Sequence, residues 1–308
     1  MSATIALAGL HPVPEEFRPE SYFDLDAGFA RHKALFDDRH VIAALEAMPE
    51  YLREWQTAFL IEHCQTPLSW KPKARWGTVL HGSFKVYVEK GAVFSPRCIV
   101  ARYSTLRHNR IYVGKGSVVV GADIYVEEGE VIIGENNRIE AGACIQGPSI
   151  IGDNNQIRAG AYLRGPVLIG NEGCFGGELK NVIAMDRAQY PHHSYVGDSI
   201  LGVGSHFGNQ ATAANFGIFQ GLRTKEERQT VKVRVGDQVY DTGRAKLGVI
   251  MGDSSQVGCN SVLDPGTFLR PRTVVYALSR VNCGIYGPDE VLKNKPMEKG
   301  VIERASLK

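Results

Sequence analysis

Along the middle of the chain one apolar position returns every six residues. Ile133, Ile139, Ile145, Ile151, Ile157, Leu163 and Ile169 follow without exception, with Gly134, Gly142, Gly152, Gly160 and Gly170 between them. A helix repeats every ~3.6 residues and a strand every two, so neither alone fits a step of six. Short strands joined by tight corners do fit. Each inward position then places one aliphatic side chain in a shared column, and three such steps close one coil of a triangular prism. The expected fold is an all-β solenoid of parallel coils.

The same step can be followed in both directions. Upstream the coils are imperfect, with Val86, Val88, Val93, Ile99 and Val100 offering strands before Val113 and Val119 set the spacing. Irregular ends suit a solenoid, whose terminal coils must shield the apolar column from water. Downstream, Gly173, Gly176 and Gly177 disturb the register, and Leu201 and Phe207 restore it. Residues 217–247 break it again, and Met251, Val257, Leu263, Leu269 and Val275 resume it. Inside the break Val231, Val233 and Val235 alternate with Lys232 and Arg234, and Gly236-Asp237 precede Val239, which predicts a β-hairpin inserted into the solenoid. The tail from Asn282 is expected to cap the last coil, with a short helix opening at Pro288 and reaching Lys293.

Before the solenoid the period changes. Residues 1 to about 36 read as an irregular arm with a short helix around Asp26 to Leu35. From Asp37 onward Val41, Leu45 and Met48, then Leu52, Trp55, Phe59 and Leu60, recur at helical spacing on either side of Pro49. This predicts two short helices, the first capped by Asp37 or Asp38 and the second with Pro49 in its first turn, where a missing N–H costs nothing. Residues 65–76, with Pro67, Trp70, Pro72 and Trp76, read as a linker. The expected organisation is an N-terminal arm and helical segment over 1–76, the solenoid with its inserted hairpin over 77–282, and a cap over 283–308.

Composition narrows the class. The 308 residues are 44% hydrophobic and 22% charged, as in an ordinary globular protein, and 34 glycines suit a chain that turns every few residues. A net charge of +2 gives no long-range pull toward nucleic acid or an acidic membrane, and neither is expected as a partner. Six scattered cysteines without a C-x-x-C pair read as reduced thiols in a cytoplasmic protein. The apolar patch Ala3 to Leu10 is short and lacks a preceding basic residue, so it does not read as a signal peptide, and no stretch is long enough to span a bilayer.

Candidate chemistry gathers between the regular halves. Glu178-Leu179-Lys180-Asn181 is followed by His192-His193-Ser194-Tyr195-Val196-Gly197-Asp198, then by His206, by Asn215-Phe216 and by Asp241-Thr242-Gly243-Arg244-Ala245-Lys246-Leu247-Gly248 leading to Gly252-Asp253. The repeats resemble the hexapeptide acyltransferase superfamily, which implies a left-handed parallel β-helix and a trimer. The E-x-K-N, H-x-x-Y-x-G-D and D-T-G-R-x-K-x-G segments resemble two groups within it. One is the acetyltransferase domain of bifunctional glucosamine-1-phosphate acetyltransferase/N-acetylglucosamine-1-phosphate uridylyltransferases; the other is the archaeal-type sugar-1-phosphate nucleotidylyltransferases with an acetylating C-terminal domain. The resemblance covers roughly residues 110–276.

That resemblance implies roles. His192 falls on the general base that takes a proton from the attacking amine, a task suited to imidazole, and Glu178 on a carboxylate that orients it. Arg164, whose hexad position points outward, and Lys180 fall on the cations that hold the sugar phosphate. Tyr195 and Asn215 fall on sugar-contacting positions, and Lys246 on a phosphate-side lysine of a neighbouring subunit. Asn209 and Cys259 fall beside the acetyl-CoA. The chain departs from the pattern at His206, which replaces an Asn and is expected in the acceptor pocket, at Gly208 to Ala211, and at Phe216. Nothing before residue 80 resembles a nucleotide-binding unit. The implied activity is acetyl transfer from acetyl-CoA, as cosubstrate, to an amino-sugar phosphate such as glucosamine-1-phosphate, without an active-site metal. A zinc site from His192, His193 and His206 is the weaker reading, because the spacing is wrong for three separated ligands. The rival from another class is a non-catalytic sugar-nucleotide-binding or scaffold solenoid.

Overall fold

A computed structural model describes residues 4–37, 39–64, 78–102 and 109–294. Parallel strands stack on three faces. The first face runs through Cys144–Gln146, Tyr162–Arg164, Glu178–Lys180 and Tyr195–Gly197, paired rung on rung. The second runs through Ser149–Ile151, Val167–Ile169, Val182–Ala184 and Ser199–Leu201. The third is a separate ten-stranded sheet that includes Arg138–Ile139, Gln156–Ile157 and Cys174–Phe175. Each hexad residue from Ile133 to Ile169 is at most 1% exposed and lies in one apolar cluster, so the column inferred from spacing exists. Burying such a side chain contributes about 1.5–3 kcal/mol before chain entropy is set against it.

The corners explain how polar residues fit a fold with so many turns. At the edge between the second and third faces Asn136, Asn154, Glu172, Arg187 and Ser254 all have φ between 54° and 60°. This left-handed conformation reverses the chain in one step. Buried Asn137 and Asn155 then donate to the carbonyls of Gly152 and Gly170 at 2.7 and 2.9 Å, tying each corner to the next coil. After Phe175 the coils shorten: the next third-face column residues are Tyr190 and Phe207, packed edge to face at 5.3 Å. That shortening is the disturbance heard in the sequence after Ile169.

The second face is apolar on its outer side too. Ile150, Leu168, Ile183, Ile200, Ile250 and Phe268 point outward yet are at most 2% exposed, because the N-terminal arm and helix lie on them. Here two expectations are corrected. The two short helices are one, Ala43–His63, with Pro49 inside it and no side-chain cap; Asp37 instead bonds Arg39. Asp38 lies outside the described residues. A proline inside a helix costs about 3 kcal/mol, and the continuous face of Leu45, Met48, Leu52 and Leu60, each at most 2% exposed, outweighs it. Gln56, on the same buried face, donates to the carbonyls of Glu130 and Ser149 at 2.9 and 3.0 Å and so docks the helix on the solenoid backbone.

The arm is more ordered than its sequence suggests. Phe17, Tyr22, Phe23 and Phe29 fill the space over the second face. The helix expected near Asp26 is split into one turn, Leu25–Gly28, capped by Asp24, and a 3-10 stretch, Ala30–Leu35. Gly28 sits so close that a Cβ there would meet Val203 at 2.7 Å, so the arm backbone rests directly on the solenoid. Its first strand, Thr4–Ala6, pairs parallel with Gln238–Asp241.

The inserted hairpin is present: Lys232–Val235 pairs antiparallel with Gln238–Asp241 around Gly236, whose φ is 57°. It leaves after Thr212–Ala213 on the first face and returns at Val249–Met251 on the second, so it grows from the corner between them. The helix expected after Pro288 is absent. Gly284–Tyr286 and Val291–Leu292 are strands that continue the second and third faces, because Ile285 pairs with Phe268 and Leu292 with Val275. The solenoid thus extends into the segment expected as a cap. The expected linker at 65–76 lies outside the described residues. Among the described residues no helix is long and apolar enough to cross a membrane.

Candidate functional site

Three consecutive coils bring the predicted residues onto the first face and its two edges. At the edge shared with the third face, the turn Pro191–Ser194 presents His192 to solvent. Arg158 Nη1 donates to the Pro191 carbonyl at 3.1 Å from one side, and Ser194 Oγ donates to the Ala211 carbonyl at 2.7 Å on the other. The turn is therefore held by both neighbouring coils. The half-buried His206 lies close enough for the charge of His192 to be felt. Burial first, and that charge second, hold the His206 imidazole below its ordinary pKa.

The same edge carries the expected acetyl-CoA residues in later coils. Asn209 and Cys259 are exposed, the Asn260 amide donates to the Asn209 carbonyl at 2.9 Å, and a Cβ on Gly208 would meet the Cys259 nitrogen at 2.7 Å. His192, Asn209 and Cys259 thus form one ridge, aligned by the stacking of corners. His193 turns onto Gly160, where a Cβ would meet its ring at 2.6 Å. Three histidines do not converge there, and no cluster of His, Cys, Asp and Glu fit to hold a metal occurs among the described residues.

The opposite edge, shared with the second face, is polar and charged. Arg164, Lys180 and Gly197 sit there on successive rungs, whereas Glu178 and Tyr195 stack at the start of the same strands, toward the His192 edge. Arg164 Nη1 donates to Glu178 Oε1 at 2.8 Å. No hydrogen bond joins Glu178 to His192 among the described residues: Glu178 opens its strand at the same end of the first face as the His192 turn, and its carboxylate reaches Arg164 on the preceding rung. His206, expected in the acceptor pocket, stands beside His192.

At the centre of this edge is Asp198, only 4% exposed. Its carboxylate accepts from Asn181 Nδ2 at 2.7 Å and Asn215 Nδ2 at 2.5 Å, and pairs with Arg244 Nη2 at 3.2 Å and Lys180 Nζ at 3.8 Å. Asn181 and Asp198 both have positive φ, 55° and 48°, a strained backbone that aims two side chains at one point. The Tyr195 phenol is raised in pKa by burial first and then by the charges of Asp198 and Glu178. Lys246 Nζ stands 5.5 Å from the centre of the Phe216 ring, next to Asn215. Asp198, Asn181 and Arg244 were given no role from sequence, although the H-x-x-Y-x-G-D, E-x-K-N and D-T-G-R-x-K-x-G segments contain all three.

The face between the edges is three residues of strand wide, roughly 10 Å at ~3.3 Å per residue. A small ring with a reacting group at one end and an anion at the other fits that span. The arrangement sets an exposed imidazole at one edge, the Tyr195 phenol and Glu178 carboxylate at the near end of the strands, and Arg164, Lys180 and Arg244 at the other edge.

Comparison with known proteins gives matches over part of the chain. Residues 130–165 match the family described as bacterial transferase hexapeptide (six repeats). The bifunctional sugar-1-phosphate nucleotidylyltransferase/acetyltransferase of Sulfurisphaera tokodaii is 33% identical over 105 residues, 34% of this chain and 24% of that protein. The bifunctional protein GlmU of Methanocaldococcus jannaschii is 37% identical over 89 residues, 29% of this chain and 20% of its own length. A putative uncharacterized acetyltransferase of Escherichia coli, YaiX, is 30% identical over 99 residues, 32% of this chain and 40% of that one. The chain spans between a fifth and two fifths of the length of these relatives. The six-residue repeat and the three-faced solenoid it builds are thus similar, over about a third of the chain, to hexapeptide-repeat transferases and to part of the bifunctional sugar-1-phosphate enzymes.

Proposed function

We propose that the protein transfers an acetyl group from acetyl-CoA to the amine of an amino-sugar phosphate such as glucosamine-1-phosphate, working in the cytoplasm as a homotrimer. The observation that carries this reading is the first face itself: His192 at one edge, and Arg164, Lys180 and Arg244 about one sugar ring away at the other. In this reading the amine nitrogen attacks the thioester carbonyl carbon, His192 takes the proton that the nitrogen loses, the C–S bond breaks, and CoA leaves as the thiol with that proton. Arg164, Lys180 and Lys246 hold the phosphate, and Tyr195 and Asn215 place the sugar, so that the reaction begins from an oriented complex. Glu178 acts through Arg164. Asn209 and Cys259 line the ridge on which the CoA arm rests, with solenoid amides available to the developing oxyanion.

The test is a screen of amino-sugar phosphates for acetyl-CoA-dependent release of free CoA thiol. Release with at least one acceptor is expected. No release with any of them, together with no binding of acetyl-CoA in a direct titration, overturns the reading and leaves a scaffold solenoid.

A further inference from the structure

The cations at the polar edge stand in two banks on either side of one carboxylate. Asp198 Oδ2 faces Lys180, whose neighbour on the preceding rung is Arg164; Asp198 Oδ1 faces Arg244. Arg244 belongs to the insertion, and its Nε donates to the Lys246 carbonyl at 3.1 Å. Beyond it the Phe216 ring is flanked by Lys246 Nζ at 5.5 Å and Arg228 Cζ at 5.0 Å, so both cations are held over one aromatic face or edge. Arg228 Nε is buried and meets no hydrogen-bond partner among the described residues. The nearby carboxylates are engaged elsewhere: Glu227 accepts from the Thr224 amide, and Asp241 from Thr230 and the Gly243 amide.

A sugar monophosphate carries its charge on one phosphorus and needs only one bank. Five cations against Glu178 and Asp198, separated by a carboxylate that no anion can occupy, suit an anion whose charge is spread over two adjacent phosphates. We infer that the acceptor is an amino sugar linked through a diphosphate, with one phosphate between Arg164 and Lys180 and the second among Arg244, Lys246 and Arg228. This rests on the sugar-phosphate reading above, names its substrate class and moves Lys246 from the sugar's own phosphate to the second one. The second phosphate supplies acceptors for the unpaired Arg228 Nε. It also gives the insertion a task at the corner from which it grows.

Diphosphate esters have two common sources, a nucleotide and an isoprenyl chain, and exposed Ile218, Phe219 and Leu222 next to Phe216 leave an aromatic or an apolar tail equally accommodated. The experiment is calorimetric titration of the full chain, without acetyl-CoA, with glucosamine-1-phosphate, UDP-glucosamine and farnesyl-diphospho-glucosamine. These probes carry similar charge, so a preference reads its distribution. At least one diphosphate ester is expected to bind about tenfold more tightly than the monophosphate, and the ester that does so identifies the tail. Arg228→Gln is expected to bring that preference to within about twofold, and Arg228→Lys to restore part of it. Equal or weaker binding of both esters overturns the inference, as does a preference that Arg228→Gln leaves whole. If no amine yields free CoA thiol and acetyl-CoA does not bind while the preference holds, the acetyl-transfer reading falls and the diphosphate site stands.

Discussion

Arg164 Nη1 lies 2.8 Å from Glu178 Oε1, one rung of the solenoid above the other. The carboxylate is thereby committed to the guanidinium and aims it along the first face. In the proposed reading Glu178 then serves the binding of the sugar phosphate and not the basicity of His192. Glu178→Gln is expected to raise KM for the acceptor about tenfold and to change kcat much less. Steady-state thiol release reads both, and a loss in kcat with KM unchanged would return Glu178 to the imidazole.

His192 stands at the other edge, on a turn fixed by Arg158 and Ser194. If it takes the amine proton, His192→Ala lowers turnover by roughly two to four orders of magnitude. The acceptor's Kd, measured without acetyl-CoA, should move little, because the proposed phosphate cations stand a face-width away. An unchanged rate removes His192 from this role.

Asp198 gathers two amides and two cations at 4% exposure. Removing its charge leaves Lys180 and Arg244, both partly buried, without their counter-ion, and breaking a buried pair this way costs about 3–5 kcal/mol. Asparagine accepts a positive φ, so Asp198→Asn isolates the charge from the backbone. We expect a stability loss of roughly 2–4 kcal/mol, read from the urea midpoint and slope. A midpoint equal to that of the unaltered chain would mean that the carboxylate is not a counter-ion at all.

The contact between arm and helix carries an acid sensitivity. His32 is buried against Tyr51, whose hydroxyl is 2.9 Å from Nδ1, and against Trp55. Burial above all, with the nearby Arg31 charge, pushes its pKa down from 6.5 to about 3. Below pH 6.5 the unfolded chain binds a proton there that the folded chain refuses, so its stabilising share is complete above that pH and is lost as pH falls toward 3. The loss is about 1.4 kcal/mol per pH unit in that window. Thermal melting from pH 7 to pH 4 should show this slope, and His32→Gln should flatten it. An identical slope in the variant assigns the acid sensitivity to other groups.

The sequence alone determined the prism. A residue every six positions is a local property, and Ile133 to Ile169 announced the apolar column because each coil there has the same length. It also announced the hairpin, through alternation around Gly236, and the motif residues that line one face. It hid what depends on contacts distant along the chain. Leu179, Ala184 and Tyr190 escaped the period because the coil after Phe175 is shortened. The arm looked irregular because its order comes from Phe17, Tyr22 and Phe29 resting on Ile200, Ile250 and Phe268, and Pro49 misled because that packing outweighs its local cost. Only the stacking of coils decided that Glu178 faces Arg164, that His206 stands by His192, and that Asp198 draws Lys180 and Arg244 together. In a solenoid the spacing along the chain sets which side chains point inward, whereas the neighbour of an outward side chain lies one coil away, at a position the spacing does not encode.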